Sequence, residues 1–90
     1  MNRTECLKVA EEIVTCDKDN TYGSPEDNFK LIARFWSHNM GCNIESIDVA
    51  NMMILLKVVR AVAGKFNADN YIDIAGYAAY ACEIGDRGSK

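Results

Sequence analysis

The sequence predicts an all-α fold, a compact four-helix domain, and three observations carry that prediction. Four segments place apolar residues at helical spacing, residues that begin or end helices bound each segment, and no segment alternates apolar and polar residues as a strand would. The predicted helices span about 3–17, 25–40, 46–63 and 68–84. Residues 1–85 are expected to form one helical domain and residues 86–90 a disordered tail.

The first two helices are predicted from their caps. Asn2 can cap the first helix, with Glu5 three positions later as the partner of a capping box. Ser24 and Pro25 are typical of the first positions of the second helix. That helix is expected to stop by Gly41, a residue typical of a helix carboxyl end.

Two residues near the start of the second helix have no role in beginning it. Helix initiation accounts for Ser24 and Pro25, but it requires neither Tyr22 nor Asn28. We therefore treat Tyr22 and Asn28 as candidate site residues, with Tyr22 placed on a loop that could close over a groove.

The third helix, 46–63, is apolar on nearly all sides, which predicts a central position in the fold. Only one stripe of it is charged, and that stripe consists of Lys57 and Arg60. Asp48 lies in its first turn, where a carboxylate can cap free backbone N–H groups. Asp48 also projects from the apolar face beside Asn51, so a ligand role is the alternative.

The fourth helix gathers its polar residues and tyrosines on one side and is predicted to end at Gly85. The connection around residues 65–67 is short, so the third and fourth helices should be antiparallel neighbours. That arrangement brings Arg60 level with Asp69 or Asp73, and Lys57 level with Asp73 or Tyr77. One interpretation is a partly exposed salt bridge between helices.

The other interpretation of these facing stripes is an anion-binding groove. The two cations would receive phosphate or carboxylate groups, the aspartates would hold the cations in place, and the tyrosines would offer stacking faces. The expected ligand-binding residues are Tyr22, Asn28, Lys57, Arg60, Asp69, Asp73, Tyr77 and Tyr80.

Composition limits the classes of function. The net charge of −3 without a basic block argues against duplex nucleic acid, and no apolar run is long enough for a signal peptide or a membrane span. An apolar fraction of 49% in only 90 residues predicts a homo-oligomer, because so short a chain has little interior. The four cysteines lack Cys-x-x-Cys spacing, so buried free thiols are expected rather than a zinc site.

Three motifs resemble a family of small tailed-phage and prophage proteins of unknown function. They are "YGSPEDNFKLIARFW", "DVANMMILLKVVR" and "DNYIDIAGYAA", and the resemblance covers roughly residues 10–84. A phage domain associated with nucleotide modification is similar more distantly. The stretch 67–71 departs from many relatives, which are more charged there and contain tryptophan. The resemblance maps onto Tyr22, Gly23, Pro25, Glu26, Asn28, Phe29, Asp48, Lys57, Arg60, Asp73, Gly76 and Tyr77.

This resemblance implies a helical accessory protein of a phage, acting in the host cytoplasm, and implies no reaction. We expect non-enzymatic binding without a cofactor, either of a nucleotide-like small molecule or of a host defence protein that the chain inhibits. The lack of a nucleophile–base pair favours this hypothesis, since His38 is the single histidine. A purely structural or assembly role is one alternative.

The other alternative is a Mg²⁺-dependent all-α nucleotide pyrophosphohydrolase. Enzymes of that type hold Mg²⁺ against phosphates with paired acids on neighbouring helices. The acids that could do so here are Glu45, Asp48, Asp69 and Asp73. No Glu-x-x-Glu stands on an earlier helix, and the neighbours Glu11 and Glu12 cannot point the same way.

Overall fold

The computed structural model describes residues 1–16 and 24–88, and this part of the chain is helical without a strand. The all-α prediction is confirmed. Cys16 already has an extended backbone, so the first helix ends two residues earlier than predicted. Tyr22 and Gly23 lie outside the described residues. The helices are α1 (Arg3–Thr15), α2 (Pro25–Met40), α3 (Ser46–Ala63) and α4 (Ala68–Asp86).

Local caps begin the first two helices, and Gly41 ends the second, as predicted. The Asn2 side-chain oxygen accepts the backbone N–H of Glu5 at 2.9 Å, and the Ser24 hydroxyl accepts the N–H of Asp27 at 3.1 Å. Gly41 ends α2 in the left-handed conformation, with φ at 68°, which glycine adopts without steric cost.

The carboxyl end of α4 differs from the prediction. Gly85 lies inside the helix, which continues to Asp86. Arg87 forms ion pairs with Glu83 one turn earlier and with Glu26 at the start of α2. These pairs link the exposed Arg87 side chain to the start of α2, and Asp86, the first residue of the predicted tail, is the last residue of α4.

The core lies where α2 and α4 pack against the amino-terminal half of α3. Val49 and Ala50 are fully buried there. Ile47 of α3 approaches Gly85 while Lys57 pairs with Asp73, so α3 and α4 are antiparallel as predicted. The rest of the buried core cluster is formed by Phe29, Ala33, Ile44 and Ile84.

The prediction that α3 is central holds for its first half only. Val49 is fully buried, but Leu55, Val59 and Val62 in the second half are mostly exposed. The packing explains the difference, because the buried residues of α2 cluster with the first half of α3. The apolar pattern of α3 therefore continues into its second half, where the described residues leave it exposed.

The α1 helix packs on α4 at a close approach. A Cβ built on Gly76 would lie 3.1 Å from Cγ1 of Val14, so the absence of a side chain lets the two helices meet. Gly76 is buried, as is Ala10 on the α1 side.

The cysteines are free thiols, as expected, but they are not buried. Cys16, Cys42 and Cys82 are exposed, and Cys6 is half-buried. None of the helices in the described part of the chain is long and apolar enough to cross a membrane.

Candidate functional site

The centre of the predicted site is an ion pair between α3 and α4. Lys57 Nζ lies 2.9 Å from a carboxylate oxygen of Asp73, with the side chains 17% and 35% exposed. The antiparallel register predicted this contact. Because the Lys57 side chain is mostly covered and already paired, a ligand anion would have to compete with Asp73 for it.

The second cation does not join this pair. Arg60 is exposed, and within the described residues it has no carboxylate within salt-bridge distance. Arg60 follows Lys57 by three residues, so its side chain points about 60° away from that of Lys57 around the helix axis. Asp69, its predicted partner, is exposed in the first turn of α4, where its N–H donates to the Asn67 side chain.

Beside the ion pair, α1 and α4 enclose an open groove of about 120 Å³, which we call the α1–α4 groove. Three of the predicted site residues line it: Asp73, Tyr77 and Tyr80. The other lining residues are apolar and come from both helices: Ala10, Ile13, Val14, Ile72 and Gly76.

The two tyrosines are held in place by packing. The Phe29 ring lies 6.1 Å from the ring of Tyr77 and 5.6 Å from that of Tyr80, edge to face in the second pair. The Tyr80 hydroxyl donates to the carbonyl of Val14 at 3.5 Å. Burial raises the pKa of Tyr80, so its hydroxyl stays neutral and remains a donor. The ring contacts therefore hold both tyrosines against α2, and the Tyr80 hydroxyl links α4 to α1.

The remaining predicted residues lie elsewhere. Asn28 is half-buried on α2 next to Phe29, and its backbone N–H donates to the carbonyl of Ser24. Tyr22 is outside the described residues. Of the eight predicted ligand-binding residues, the structure brings four together: Lys57, Asp73, Tyr77 and Tyr80.

The acids of the predicted magnesium site do not converge. Asp48 accepts the backbone N–H of Glu45 at 2.9 Å, so it caps α3 as the simpler interpretation expected. Asp69 lies at the other end of the antiparallel pair, roughly 20 Å away at 1.5 Å per residue. In residues 1–16 and 24–88, no three His, Cys, Asp or Glu side chains group closely enough to hold a metal ion.

A second depression, which the sequence did not indicate, lies where α2 meets the start of α3. It encloses about 470 Å³ and contains Lys30 and Arg34 one turn apart on α2, together with Glu45 and Ser46. The volume falls in the usual range of ligand pockets, about 300–1,000 Å³. In the sequence these cations lie on the polar side of the amphipathic second helix, a position that indicates solvent exposure and no site.

The residues of α1 that form the groove were also missed. Ala10, Ile13 and Val14 follow helical spacing on one apolar face of the first helix, and that face is the signal that could have found them. Sequence periodicity shows that a helix has an apolar face, but it does not show which helix that face contacts.

Fold and site together define a small all-α domain with an apolar groove beside an interhelical ion pair. The chain belongs to the family described as "Domain of unknown function (DUF6378)", whose model matches residues 5–85. It is similar to the Gene 55 protein of Mycobacterium phage D29, 39% identical over 72 residues that make up 80% of this chain and 48% of that protein.

The Gene 55 protein of Mycobacterium phage L5 is similar to the same degree, at 40% identity over 73 residues, covering 80% of this chain and 47% of the relative. The chain therefore spans about half the length of the curated relatives it matches. No solved structure matches it. These relatives confirm the resemblance at the level of a phage-associated family of unknown function.

Proposed function

We propose that this domain is a non-enzymatic binding module of a phage protein, and that the α1–α4 groove receives an apolar side chain of a protein partner. The observation that carries the proposal is the groove itself. An open space of about 120 Å³ with an apolar lining is close to the size of a benzene-binding cavity of about 150 Å³. It is too small for a whole nucleotide.

The rim of the groove suits a protein partner. Ile13 on α1 lines the groove and is 55% exposed, so it offers apolar area at the edge. Asp73 adds one hydrogen-bond acceptor next to the apolar floor, and Lys57 holds its carboxylate in place. A single apolar anchor with one polar contact at its edge is a common arrangement at the centre of protein interfaces.

For a domain of a phage family, the partner class we propose is a protein of the infected host. Inhibition of a host defence protein is the specific form of this proposal. Binding would act by occupying a surface of that protein, since the described residues assemble no metal site and the groove is lined mainly by apolar atoms.

The test is capture from host-cell lysate with wild-type protein, Ile13→Glu and Leu7→Glu. Leu7 is the matched control, because it is on the same helix, 63% exposed, and lines a neighbouring depression between α1 and α4 but not the α1–α4 groove itself. Proteins bound by wild type should be identified by mass spectrometry. We expect a host protein that Leu7→Glu retains and Ile13→Glu loses; equal retention by both variants would refute the groove as the binding site.

A nucleotide-like ligand is the second candidate, and the larger depression at the start of α3 favours it. It is a shallow depression open to solvent, in which Lys30 and Arg34 supply two positive charges against the one carboxylate of Glu45. Calorimetric titration with linear and cyclic nucleotides tests it, using Lys30→Ala/Arg34→Ala and Lys57→Ala/Arg60→Ala double variants. Nucleotide binding that either double variant abolishes would replace the protein-partner proposal. If wild type binds neither nucleotide nor host protein, an assembly role is the better explanation.

A further inference from the structure

The second half of α3 presents an apolar surface that none of the other helices in residues 1–16 and 24–88 covers. We call it the outward face of α3. Its centre is formed by Met52, Leu55, Val59 and Val62, which are 42–80% exposed, and Leu56 and Val58 flank them at 41% each.

The position of this face follows from helix geometry. Lys57 points toward α4, where it pairs with Asp73, and Ala50 points into the core. At about 100° per residue, Leu55 and Val59 lie roughly opposite Lys57 on the helix. The outward face therefore lies on the side of α3 opposite α4. Its residues do not line the α1–α4 groove, so substituting them leaves the groove lining unchanged.

The exposed area is large for a lone chain. Its accessible surface is 6696 Å², whereas a folded monomer of 10.0 kDa has about 5,200 Å². The radius of gyration is 13.9 Å, compared with about 12 Å for a compact domain of this length. The chain thus exposes more surface than a self-sufficient domain of its size.

The area of the face matches the requirement of a stable dimer. Its six side chains present on the order of 600 Å² of apolar surface, judged from the area that such side chains bury when covered. A standard interface buries about 800 Å² per partner, with an apolar centre and a polar rim. The outward face of α3 supplies the apolar centre of such an interface, and the polar residues around it supply the rim.

The distribution of charge indicates how two copies would pair. Asp48 lies at the amino end of the face and Lys65 follows α3 at its other end, while the apolar centre between them carries no charge of its own. A two-fold axis perpendicular to α3 places the two α3 helices antiparallel, so the acidic end of each meets the basic end of the other. A parallel arrangement would place like charges together.

We propose that the outward face of α3 is a homodimer interface, in which two copies of this chain pair across a two-fold axis near Leu55 and Val59. In this dimer Leu55 of each protomer packs near Val59 of its partner, and Met52 packs near Val62. The α1–α4 groove of each copy stays accessible, so the dimer presents two grooves. This inference is independent of the proposed function.

The experiment is sedimentation velocity across a range of protein concentrations with wild type, Leu55→Glu and Val62→Lys. Phe35→Glu on α2 is the control, since that residue is exposed to a similar degree but is on another helix. We expect wild type to sediment at about twice 10.0 kDa, the Phe35→Glu variant to do the same, and both α3 variants to remain at the monomer mass.

The dissociation constant should rise more than about 100-fold in the α3 variants, because each interface would bury two unpaired charges. The Val62→Lys variant guards against misfolding, as Val62 is too exposed in the protomer to support its core. Wild type that stays monomeric at every concentration would overturn the proposal. A dimer that survives both α3 substitutions would overturn it as well, by placing the interface on another surface.

Discussion

Replacing Gly76 by alanine tests the packing that forms the α1–α4 groove. The new Cβ would lie 3.1 Å from Cγ1 of Val14, which is closer than ordinary van der Waals contact. Val14 is β-branched and strongly prefers one rotamer in a helix, so it has little freedom to turn away. The contact must be relieved by moving α1 away from α4.

Two opposing effects decide whether Gly76→Ala stabilises or destabilises the fold. Glycine to alanine in a helix interior gains about 1 kcal/mol of helix propensity. Overpacking a well-packed contact costs about 1–3 kcal/mol. We expect the cost of overpacking to exceed the gain in helix propensity. The free energy of unfolding should fall by about 1 kcal/mol and Tm by about 4–8 °C for a domain of this size.

Gly85→Ala is the matched control, because it is the same substitution in the same helix. Its new Cβ would lie 3.3 Å from Cδ1 of Ile47, the far end of a flexible side chain that can rotate away. We therefore expect Gly85→Ala to leave Tm unchanged or to raise it.

The assay is thermal unfolding followed by circular dichroism, with protein concentration held constant because dimer formation would shift Tm. Adding Val14→Ala to Gly76→Ala removes the clashing methyl group, so the alanine at position 76 should no longer destabilise in that background. If Gly76→Ala raises Tm as much as Gly85→Ala does, α1 does not pack at Gly76 and the groove is not formed as described.

Three further predictions concern polar contacts. A double-mutant cycle with Lys57→Met and Asp73→Asn should give a coupling energy of about 1 kcal/mol, at the upper end for exposed pairs because Lys57 is largely covered. The hydrogen bond from Arg87 lowers the pKa of Glu26 below its ordinary value of 4.5. The Glu26 carboxylate therefore stabilises the fold above pH 4.5 and loses that effect as the pH falls through the lowered pKa. In urea unfolding, Glu26→Gln should be less stable than wild type at neutral pH and equally stable in acid. Ser24→Ala removes the α2 cap and should cost about 1 kcal/mol in the same urea assay.

A different result would contradict each of these three predictions. No coupling between Lys57 and Asp73, or an equal coupling between Arg60 and Asp73, would show that the ion pair is not specific. A Glu26→Gln deficit that persists in acid would mean that the loss comes from packing and not from the charge. A Ser24→Ala variant as stable as wild type would show that the α2 cap contributes nothing.

Contacts between residues near in sequence were predictable, and so was one contact across helices. Caps at Asn2, Ser24 and Gly41 follow from backbone chemistry within a few residues. The Lys57–Asp73 pair was predictable because a short connection fixes the antiparallel register of α3 and α4. The sequence was less informative wherever the partner lies far along the chain.

Arg87 illustrates that limit. It pairs with Glu26, 61 positions away, and no local pattern indicates either this contact or the continuation of α4 past Gly85. The apolar face of α3 illustrates a second limit. Periodicity detects an apolar face, but the pattern is the same whether the face is covered by the chain's own helices or by another molecule.

In the proposed function, the α1–α4 groove accepts one side chain of a protein partner rather than a nucleotide. We would titrate p-cresol, a mimic of the tyrosine side chain, and separately a nucleoside monophosphate into protein with labelled methyl groups observed by NMR. We expect p-cresol to shift the methyl signals of Ile13 and Ile72 with an affinity on the order of millimolar, while those of Leu31, exposed on α2 away from the groove, stay unchanged. Shifts of Ile13 and Ile72 caused by the nucleotide and not by p-cresol would contradict it.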